Sequence, residues 1–447
     1  MKNYMLVFHR EIFYCNLRVL IYTTTMLDIK FIRENRDIVK QAAMKKHITV
    51  DVDKLVALDN DRLDLLREIE ALRAEQNAQS EKIQNIEGEE REDAIIAMRA
   101  LKESLQTKEA DHKKVAKKWQ ELMWQIPNIP DVSVPDGESD SDNIEVKVWG
   151  EQTTFDFEPK DHIEIMEDLD IVDLERGQKI HGFRGYFLKG DAVRLCFAIW
   201  QYALEFFADK GFNPMIAPAI VREENLYGTG HLPNDAEDVY ITQDNDYLAG
   251  TAEVPVMGYH SGEVLDEGQF PIKYLAFSPC YRREVGSHGK DTKGLIRVHE
   301  FQKWEQVVLC EASHERSVEL HEWINRNTEE FIESLGIPYH TVLNCGGDLG
   351  QGQVKKYDVE LWVPGEEKYR EISSASYFHD FQTRRFNIRY KDGEGKMRFA
   401  HSLNCTAIPT PRILVSLVEN FQNADGSISI PAILQPYMRN QEVIKKS

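Results

Sequence analysis

The chain has 447 residues, with 54 lysines and arginines against 75 aspartates and glutamates, for a formal net charge of −21. With 29% charged and 42% hydrophobic residues, the composition is typical of a soluble globular protein and argues against a disordered chain. The negative charge argues against a protein that coats nucleic acid or anionic lipid through its overall field, although it allows a local basic strip. The sequence has no apolar run of the roughly 18 residues that a membrane span requires.

Residues 1–25 are unusual, because they carry Lys2, Arg10 and Arg18 against a single acid, Glu11. A basic, acid-poor and amphipathic start of this kind is typical of an organelle transit peptide. The alternative is a dispensable extension upstream of a start at Met26. We expect residues 1–25 to stay outside the fold and the protein to be cytoplasmic, whereas a transit peptide would place it in an organelle.

A heptad pattern follows. From Leu55 the apolar residues advance by threes and fours, with polar gaps at Arg62, Gln76 and Gln79. The pattern stops around Gly88 and resumes from Ala94 to Ile126. Two helices joined by one turn predict an antiparallel two-helix coiled coil. A helix of about 32 residues is roughly 48 Å long, so we expect this hairpin to project as an arm.

The second helix of the hairpin concentrates lysines in an otherwise acidic chain: Lys113, Lys114, Lys117 and Lys118. Such a run is usually a solvated helix face, but it is also typical of an RNA contact. The residues alone leave both interpretations open.

Pro127 and Pro130 end the helical pattern, because proline cannot continue the hydrogen-bond ladder. The acidic stretch 136–142 after them has the composition of a linker. We divide the chain into an extension (1–25), the hairpin (26–130) and a second domain (131–447). Strand-like runs such as 144–148, 359–363 and 386–390 mix there with helical segments and lack a regular βαβ alternation. The sequence therefore predicts an α+β domain on an antiparallel sheet flanked by helices.

The six cysteines are scattered, without a CxxC pair or zinc-finger spacing. We expect free thiols, a reducing compartment and no structural zinc. They stand at positions 15, 196, 280, 310, 345 and 405.

The candidate chemistry starts with Arg282 and Glu284, followed by a glycine- and lysine-rich turn and then Arg297, Phe301 and Glu305. Alternate residues of a strand share a face, so a strand, a loop and a returning strand can aim two arginines at one anionic group. Arginine suits phosphate through its fixed bidentate fork and permanent charge. A surface ion pair explains the arginine and glutamate equally well.

Two further features are open to more than one interpretation. Arg412 begins an apolar helix, where its guanidinium would face a nucleotide or simply a packed sheet. The run NCGGDLGQG at 344–352 resembles a phosphate cradle, but a lone glycine pattern is weak evidence. We predict instead a loop whose glycines need positive φ.

Together, this order of features, with Pro218 after a long amphipathic helix, resembles the three-motif signature of class II aminoacyl-tRNA synthetases. Within that class the chain resembles the seryl-tRNA synthetases from Met26 to the end. The segments that carry the resemblance are FEPKDH (157–162), YFLKGD (186–191), NLYGTGHLP (225–233), GTAEVP (250–255), GKDTKGLIRVHEFQKWE (289–305), REISSASYFHDFQTRR (370–385) and SIPAILQPYM (429–438).

The resemblance implies a serine–tRNA ligase that activates L-serine with ATP to seryl-adenylate and transfers it to the 3′ end of tRNA(Ser), and also of tRNA(Sec). Glu253 and Glu305 would offer carboxylates to the ammonium or hydroxyl of serine, and Thr406 would bond the hydroxyl. The implied serine-binding residues are Thr251, Ala252, Glu253, Arg282, Glu305, Asn404 and Thr406.

For ATP, the resemblance places Arg282 at the α-phosphate and Glu284 at the adenine amino group, with Phe301 and Arg412 on either side of the ring. Glu371 and Ser374 would hold Mg²⁺ between the phosphates, and the catalytic residues would be Arg282, Arg412 and Glu371. The implied ATP-binding residues are Arg282, Arg283, Glu284, Arg297, Phe301, Glu371, Ile372, Ser373, Ser374 and Arg412.

The resemblance also implies a homodimer, with tRNA gripped by the arm and no binding to membranes or DNA. The chain departs from the family's pattern at Ala407–Pro411, where a glycine-rich approach to Arg412 is common, and this reshapes one side of the pocket. Trp304 is bulky, but strand alternation should turn it away. Two alternatives remain: a paralogue that activates an amino acid without charging tRNA, and a structural coiled-coil protein with an inert globular half.

Overall fold

The computed structural model describes residues 28–285 and 291–446, so the predicted extension 1–25 and Cys15 lie outside the described residues. The described chain forms two compact units. We call them the helical unit (28–44 and 48–127) and the sheet unit (45–47 and 128–446). Within these residues, no helix is both long enough and apolar enough to cross a membrane.

The helical unit contains the predicted hairpin. Asp51 caps its first long helix by accepting a hydrogen bond from the Lys54 amide (2.9 Å), and Gly88, with φ of 68°, precedes the second. Arg73 pairs with Glu109 across the two helices (2.6 Å), and Arg62 contacts Trp119, so positions rise along one helix as they fall along the other and the helices are antiparallel. This confirms the coiled-coil prediction. The helices of the unit are α1 (Ile29–Glu34), α2 (Arg36–Lys45), α3 (Val52–Ile83) and α4 (Glu89–Gln125).

The polar gap in the heptad pattern has a structural role. Arg62 lies over the ring of Trp119 (4.7 Å to the centroid), so a cation–π contact replaces an apolar pair. Its guanidinium also pairs with Asp59 (2.8 Å), a buried carboxylate that Arg33 holds from the other side (2.6 Å). Apolar seam residues such as Ile69 are buried as well.

The sheet unit is built on an eight-stranded sheet with the order β1-β11-β12-β13-β16-β10-β9-β4. Every neighbouring pair is antiparallel except β4 and β9. The predicted α+β class is therefore confirmed. The strands are β1 (Ile144–Trp149), β2 (Val172–Asp173), β3 (Phe187–Leu188), β4 (Asn213–Ile216), β5 (Ile220–Val221), β6 (Tyr240–Ile241), β7 (Tyr247–Leu248), β8 (Val264–Leu265), β9 (Ile272–Tyr281), β10 (Glu300–Cys310), β11 (Tyr339–Leu343), β12 (Lys355–Val363), β13 (Lys368–His379), β14 (Arg389–Lys391), β15 (Met397–Phe399), β16 (His401–Thr410), β17 (Ile428–Ser429) and β18 (Val443–Ile444).

Helices cover the sheet, and α10 covers β13 and β16 in its centre. Thr328 of α10 contacts Cys405 (3.4 Å), while the next residue of β16, Thr406, points its side chain to the opposite face. Strand alternation thus separates a packed face from a face that is free to line a pocket. The helices are α5 (His162–Asp168), α6 (Leu174–His181), α7 (Gly190–Asp209), α8 (Glu223–Thr229), α9 (Glu253–Tyr259), α10 (His314–Leu335), α11 (Phe381–Phe386) and α12 (Arg412–Asn420).

The structure corrects three local predictions. The acidic stretch 136–142 is not a free linker, because the Gly347 amide donates to the carbonyl of Gly137 (3.0 Å). The glycines of 344–352 do not have positive φ. They permit close approach instead: a Cβ on Gly346 would lie 2.3 Å from the carbonyl oxygen of Lys45. Of the predicted strand 386–390, Phe386 belongs to α11 and the strand starts at Arg389.

The predicted free thiols are confirmed for the described cysteines. The free side chains are those of Cys196, Cys280, Cys310, Cys345 and Cys405, and all five are buried.

Candidate active site

A pocket of about 250 Å³ lies on the sheet face opposite α10. Strands β10, β13 and β16 supply its floor, and the segment before α9 and the first residue of α12 supply its walls. Most of the predicted residues line it together: Thr251, Glu253, Arg282, Glu284, Phe301, Glu305, Glu371, Ile372, Ser374, Asn404, Thr406 and Arg412.

Two predicted residues lie behind the pocket wall. Ala252 is fully buried in the apolar core that supports α9. The Ser373 hydroxyl donates to the carbonyl of Thr406 (2.6 Å) on the sheet face toward α10. Both residues position neighbours that line the pocket, and neither side chain lines it.

Two arginines predicted to bind ATP instead bond protein groups beside the pocket. Arg283 donates to the carbonyl of Glu237 (3.0 Å). Arg297 pairs with Glu284 (2.6 Å) and more loosely with Asp291 (3.4 Å). Neither lines the pocket. The Arg297 ion pair nevertheless holds the Glu284 carboxylate, which does line it.

One end of the pocket is a buried polar cluster around Lys303. Its ammonium donates to the hydroxyls of Thr251 (2.9 Å) and Thr406 (3.1 Å) and forms an ion pair with Glu305. Both threonine hydroxyls also lie near the Glu305 carboxylate, at 3.3 and 3.4 Å. Buried groups of this kind suit a small polar ligand, because each of them needs a hydrogen-bond partner.

Glu253 forms the neighbouring wall. Gln382 donates to its carboxylate (2.5 Å), and Ser402 fixes that amide by donating to its oxygen (2.8 Å). Burial raises the pKa of Glu253 to about 7, and the charge of Glu305 adds to the increase. Glu253 is therefore poised to ionise near neutral pH when a cation approaches.

The other end of the pocket carries arginines and an aromatic ring. Arg282 lies over the ring of Phe301 (5.3 Å to the centroid) and donates to the carbonyl of Gly250 (3.3 Å). Arg412 enters from α12 and bonds two backbone carbonyls of neighbouring elements. Guanidinium groups next to an aromatic face fit an anionic nucleotide.

Glu371 and Ser374 share a face because β13 contains a bulge. Glu371 lies opposite Glu360 of β12, but Ser373 lies opposite the adjacent residue, so Ile372 is the extra residue. In a regular strand, residues three apart would point to opposite faces. The bulge brings both oxygen ligands into the pocket, where they suit Mg²⁺. The described residues contain no group of three or more His, Cys, Asp or Glu side chains that could hold a metal ion.

Among the lining residues outside the predicted site set, three have an imidazole, ammonium or amide side chain: His231, Lys303 and Gln353. Lys303 was detectable in principle, since 301, 303 and 305 alternate on one strand. His231 lies in the NLYGTGHLP segment and contacts Thr229 (2.8 Å). Burial lowers the pKa of His231 to about 4, and Arg282 and Lys303 contribute, so this imidazole is neutral. No sequence signal marked Gln353.

Two family profiles match the chain. The seryl-tRNA synthetase N-terminal domain matches residues 26–130, and the tRNA synthetase class II core domain (G, H, P, S and T) matches residues 239–421. A serine–tRNA ligase of Deinococcus radiodurans is 43% identical over 420 residues, which cover 94% of this chain and 99% of that protein. The chain belongs to the seryl-tRNA synthetase family. This confirms the resemblance read from the sequence motifs. A serine–tRNA ligase of Symbiobacterium thermophilum is 39% identical over 94% of this chain and 100% of its own length.

Solved structures of the seryl-tRNA synthetase family share the fold over nearly the whole chain. The seryl-tRNA synthetase from Pyrococcus horikoshii complexed with ATP aligns with a TM-score of 0.84 at 37% identity, over 94% of this chain and 99% of that one. The cytoplasmic serine–tRNA ligase from Naegleria fowleri in complex with AMP aligns with a TM-score of 0.81 at 33% identity, over 95% and 99%.

The departure from the seryl-tRNA synthetase pattern at Ala407–Pro411 forms part of the pocket wall. β16 continues to Thr410, which lies opposite Gln302 of β10, and Pro409, Thr410 and Pro411 line the pocket. Trp304 is outside the lining and packs on Phe277 (5.0 Å between centroids), which confirms that it turns away.

In the helical unit, the four lysines predicted to bind tRNA lie on the exposed surface of α4. Among them, Lys114 pairs with Asp111 (3.2 Å) within the same helix. Their side chains form a basic strip along one helix face: Lys113, Lys114, Lys117 and Lys118.

Proposed function

We propose that this chain is a serine–tRNA ligase, which activates L-serine with ATP to seryl-adenylate and transfers the serine to the 3′ end of tRNA(Ser). The observation that carries this proposal is one pocket with two chemically different ends. The first is a buried polar cluster around Glu305 that suits a small hydroxylated amino acid. The second holds Arg282, Phe301 and Arg412, which suit a nucleotide.

Serine would bind with its ammonium at Glu253 and its hydroxyl among Thr406, Glu305 and Asn404. A site that hydrogen-bonds a substrate hydroxyl rejects the analogue that lacks it, because the buried groups would be left unpaired. Thr406 is 7% exposed and Glu305 is 2% exposed, so water does not substitute well for the substrate there. Ala252 would contribute only through the backbone that it places.

Activation needs a carboxylate oxygen of serine to attack the α-phosphorus of ATP, with pyrophosphate leaving. Arg282 and Arg412 would stabilise the negative charge that develops on the phosphate oxygens. Positioning and electrostatics suffice, and no side-chain nucleophile is needed. In the second step, a terminal hydroxyl of tRNA attacks the carbonyl of seryl-adenylate and AMP leaves.

We propose that Glu371 and Ser374 hold a magnesium ion on the phosphates of ATP. When bound, the ion would neutralise phosphate charge and orient the leaving pyrophosphate. The bulge at Ile372 supports this assignment, because without it the two oxygens would lie on opposite faces of β13. Arg412 bonds the backbone carbonyl of Glu371 and not its carboxylate, so this contact does not compete with the ion.

We propose that the exposed lysines of α4 bind the phosphate backbone of tRNA. Positive side chains on one helix face fit this role, because each phosphate contact releases counterions. Charging of tRNA(Sec), a cytoplasmic location and the absence of DNA as a partner stay predictions from the sequence.

The paralogue that activates an amino acid without charging tRNA is the competing function. Relatives named as serine–tRNA ligases match both the helical hairpin and the catalytic region at full length, and this argues against it. Serine-dependent exchange of pyrophosphate into ATP, compared with charging of purified tRNA(Ser), separates the two functions. Exchange with no detectable charging would favour the paralogue.

We also propose that the protein is a homodimer. Apolar side chains are exposed on α7 and around β4 and β5, where Phe197 is 62%, Ile216 83% and Ile220 58% exposed. An isologous interface would bury them against a second copy of the same surface. Sedimentation at micromolar protein should show a dimer, and a monomer alone would contradict the proposal.

A further inference from the structure

We propose that Lys303 is a specificity-determining residue that donates a hydrogen bond to the hydroxyl oxygen of the bound serine. This inference rests on the proposed function and deepens it. It concerns one buried ammonium group inside the pocket, on the strand that also carries Phe301 and Glu305.

The Lys303 ammonium organises the hydrogen bonds of the cluster. The Lys303 ammonium has three hydrogens, and its partners are Thr251, Thr406 and Glu305. Each threonine oxygen accepts from Lys303, so its own hydrogen is free to point to the Glu305 carboxylate, which lies within 3.4 Å of both. The direction of every bond in this cluster is therefore set by the lysine.

The charges in the cluster decide which carboxylate binds the substrate ammonium. The side chains of Lys303 and Glu305 are 6% and 3% exposed, so their charges compensate each other in a dry environment. Glu305 is then a poor partner for a second cation. Among the residues that the structure describes, no lysine or arginine is bonded to Glu253, whose carboxylate accepts from the Gln382 amide. The substrate ammonium belongs at Glu253, and the Lys303 and Glu305 pair faces the substrate side chain.

The pair of Lys303 and Glu305 can recognise a hydroxyl group. A hydroxyl both accepts and donates. The three Lys303 hydrogens already have acceptors, so the oxygen of serine would share one of them with a threonine oxygen in a three-centre bond, while its own hydrogen goes to Glu305 or Thr406. Alanine leaves the pair without either bond. A hydrogen bond to a charged group is stronger than one between neutral groups. Lys303 should therefore contribute to the choice of serine over alanine and less to amino-acid binding in general.

The test compares serine and alanine as substrates in pyrophosphate exchange for the full chain and for Lys303→Met. We expect the ratio of kcat/KM for serine over alanine to fall by about 10- to 100-fold, with the KM for ATP nearly unchanged. Lys355→Met is the matched control, because Lys355 is another largely buried lysine of the same sheet that pairs with Glu322 outside the pocket. It should leave the ratio unchanged.

An equal loss of kcat/KM for serine and alanine in a folded Lys303→Met protein would overturn the inference. Should that protein fail to fold, Lys303→Arg decides, because it keeps the charge beside Glu305 but displaces the donors. It should lower kcat/KM for serine more than for alanine, and an equal loss would again reject the inference. If the unmodified chain shows no serine-dependent exchange at all, the proposed function fails instead, which is a distinguishable outcome.

Discussion

Arg412, the first residue of α12, donates a hydrogen bond from Nη1 to the backbone carbonyl of Glu371 in β13 (2.7 Å). A second bond runs from its Nε to the carbonyl of Ile296 (2.8 Å). One guanidinium thus joins three segments around the nucleotide end of the pocket, including the strand with both proposed magnesium ligands.

Replacing Arg412 tests this arrangement. Arg412→Ala should lower kcat/KM for ATP in pyrophosphate exchange by about 100-fold, while the KM for serine changes much less. Arg412→Lys keeps the charge but cannot make both bonds from one planar group, so it should recover only part of the loss. Equal effects on ATP and serine would show that Arg412 supports the whole pocket.

Thr406→Ala tests the assignment of the hydroxyl-binding end. Because Thr406 bonds both Lys303 and Glu305, its loss should weaken serine activation by about 1–3 kcal/mol. Thr410→Ala is the control, since that hydroxyl lies in the pocket wall between Trp200 and Gln302. The measurement is kcat/KM for serine and alanine in exchange. A preference for serine that is unchanged in Thr406→Ala would reject the assignment.

His340 should make the stability of the sheet depend on pH. Burial opposes its charged form, but hydrogen bonds to Glu360 (2.7 Å) and Glu145 (2.9 Å) outweigh burial and raise the pKa of His340. A raised folded-state pKa means that the stabilisation is fully present below the unfolded value of about 6.5. It is lost as pH rises through the folded pKa.

Urea unfolding of His340→Gln and the unmodified chain at several pH values measures this effect. The destabilisation by the substitution should be larger at about pH 6 than at pH 9. In a Glu145→Gln and Glu360→Gln background only the effect of burial remains, so the larger destabilisation at low pH should disappear or reverse. A difference that is constant from pH 6 to 9 in the native background would contradict the prediction.

The lysines of α4 give a prediction about salt. Replacing Lys113, Lys114, Lys117 and Lys118 by Gln should weaken tRNA charging without changing serine-dependent exchange. The log–log slope of tRNA affinity against salt should fall by about 0.7–0.9 for each phosphate contact that is lost. Lys391→Gln with Lys396→Gln, two exposed lysines of the sheet unit, is the control for loss of positive charge outside α4. An unaltered salt slope in the quadruple variant would exclude these lysines as phosphate ligands.

Shortening the hairpin separates its role from that of the pocket. Deleting 78–103 and joining the helices by a short turn removes roughly 20 Å of hairpin, yet keeps the pair Arg73 and Glu109. All proposed ligands of ATP and serine lie in the sheet unit. Exchange should therefore persist while charging falls strongly. A parallel loss of both activities would mean that the hairpin supports the catalytic fold.

The helical hairpin and the α+β class follow from the sequence because their signals are periodic. Heptads fix two long helices, and short alternating runs fix strands. The seam shows the limit of this reasoning: the pattern marked Arg62 as a gap, but not its stacking on Trp119 or its pairing with buried Asp59. Those contacts join residues far apart in the chain, and spacing alone does not encode them.

The site was predictable where motifs carry chemistry and less so where backbone irregularity decides. Glu371 and Ser374 came from a motif, but the bulge at Ile372 that places them on one face is a tertiary feature. Ser373 belongs to the same motif, yet its hydroxyl bonds a buried carbonyl toward α10. The sequence alone does not mark Lys303 as a site residue, because a lysine is usually solvated. In the structure, three buried acceptors surround its ammonium.

The most direct test of the account is pyrophosphate exchange by the purified full chain with ATP and magnesium, measured with each proteinogenic amino acid in turn. The polar end of the pocket predicts that serine alone supports rapid exchange, with alanine, threonine and cysteine far slower. Exchange that is independent of the amino acid, or that is fastest with any amino acid other than serine, would contradict the proposed function.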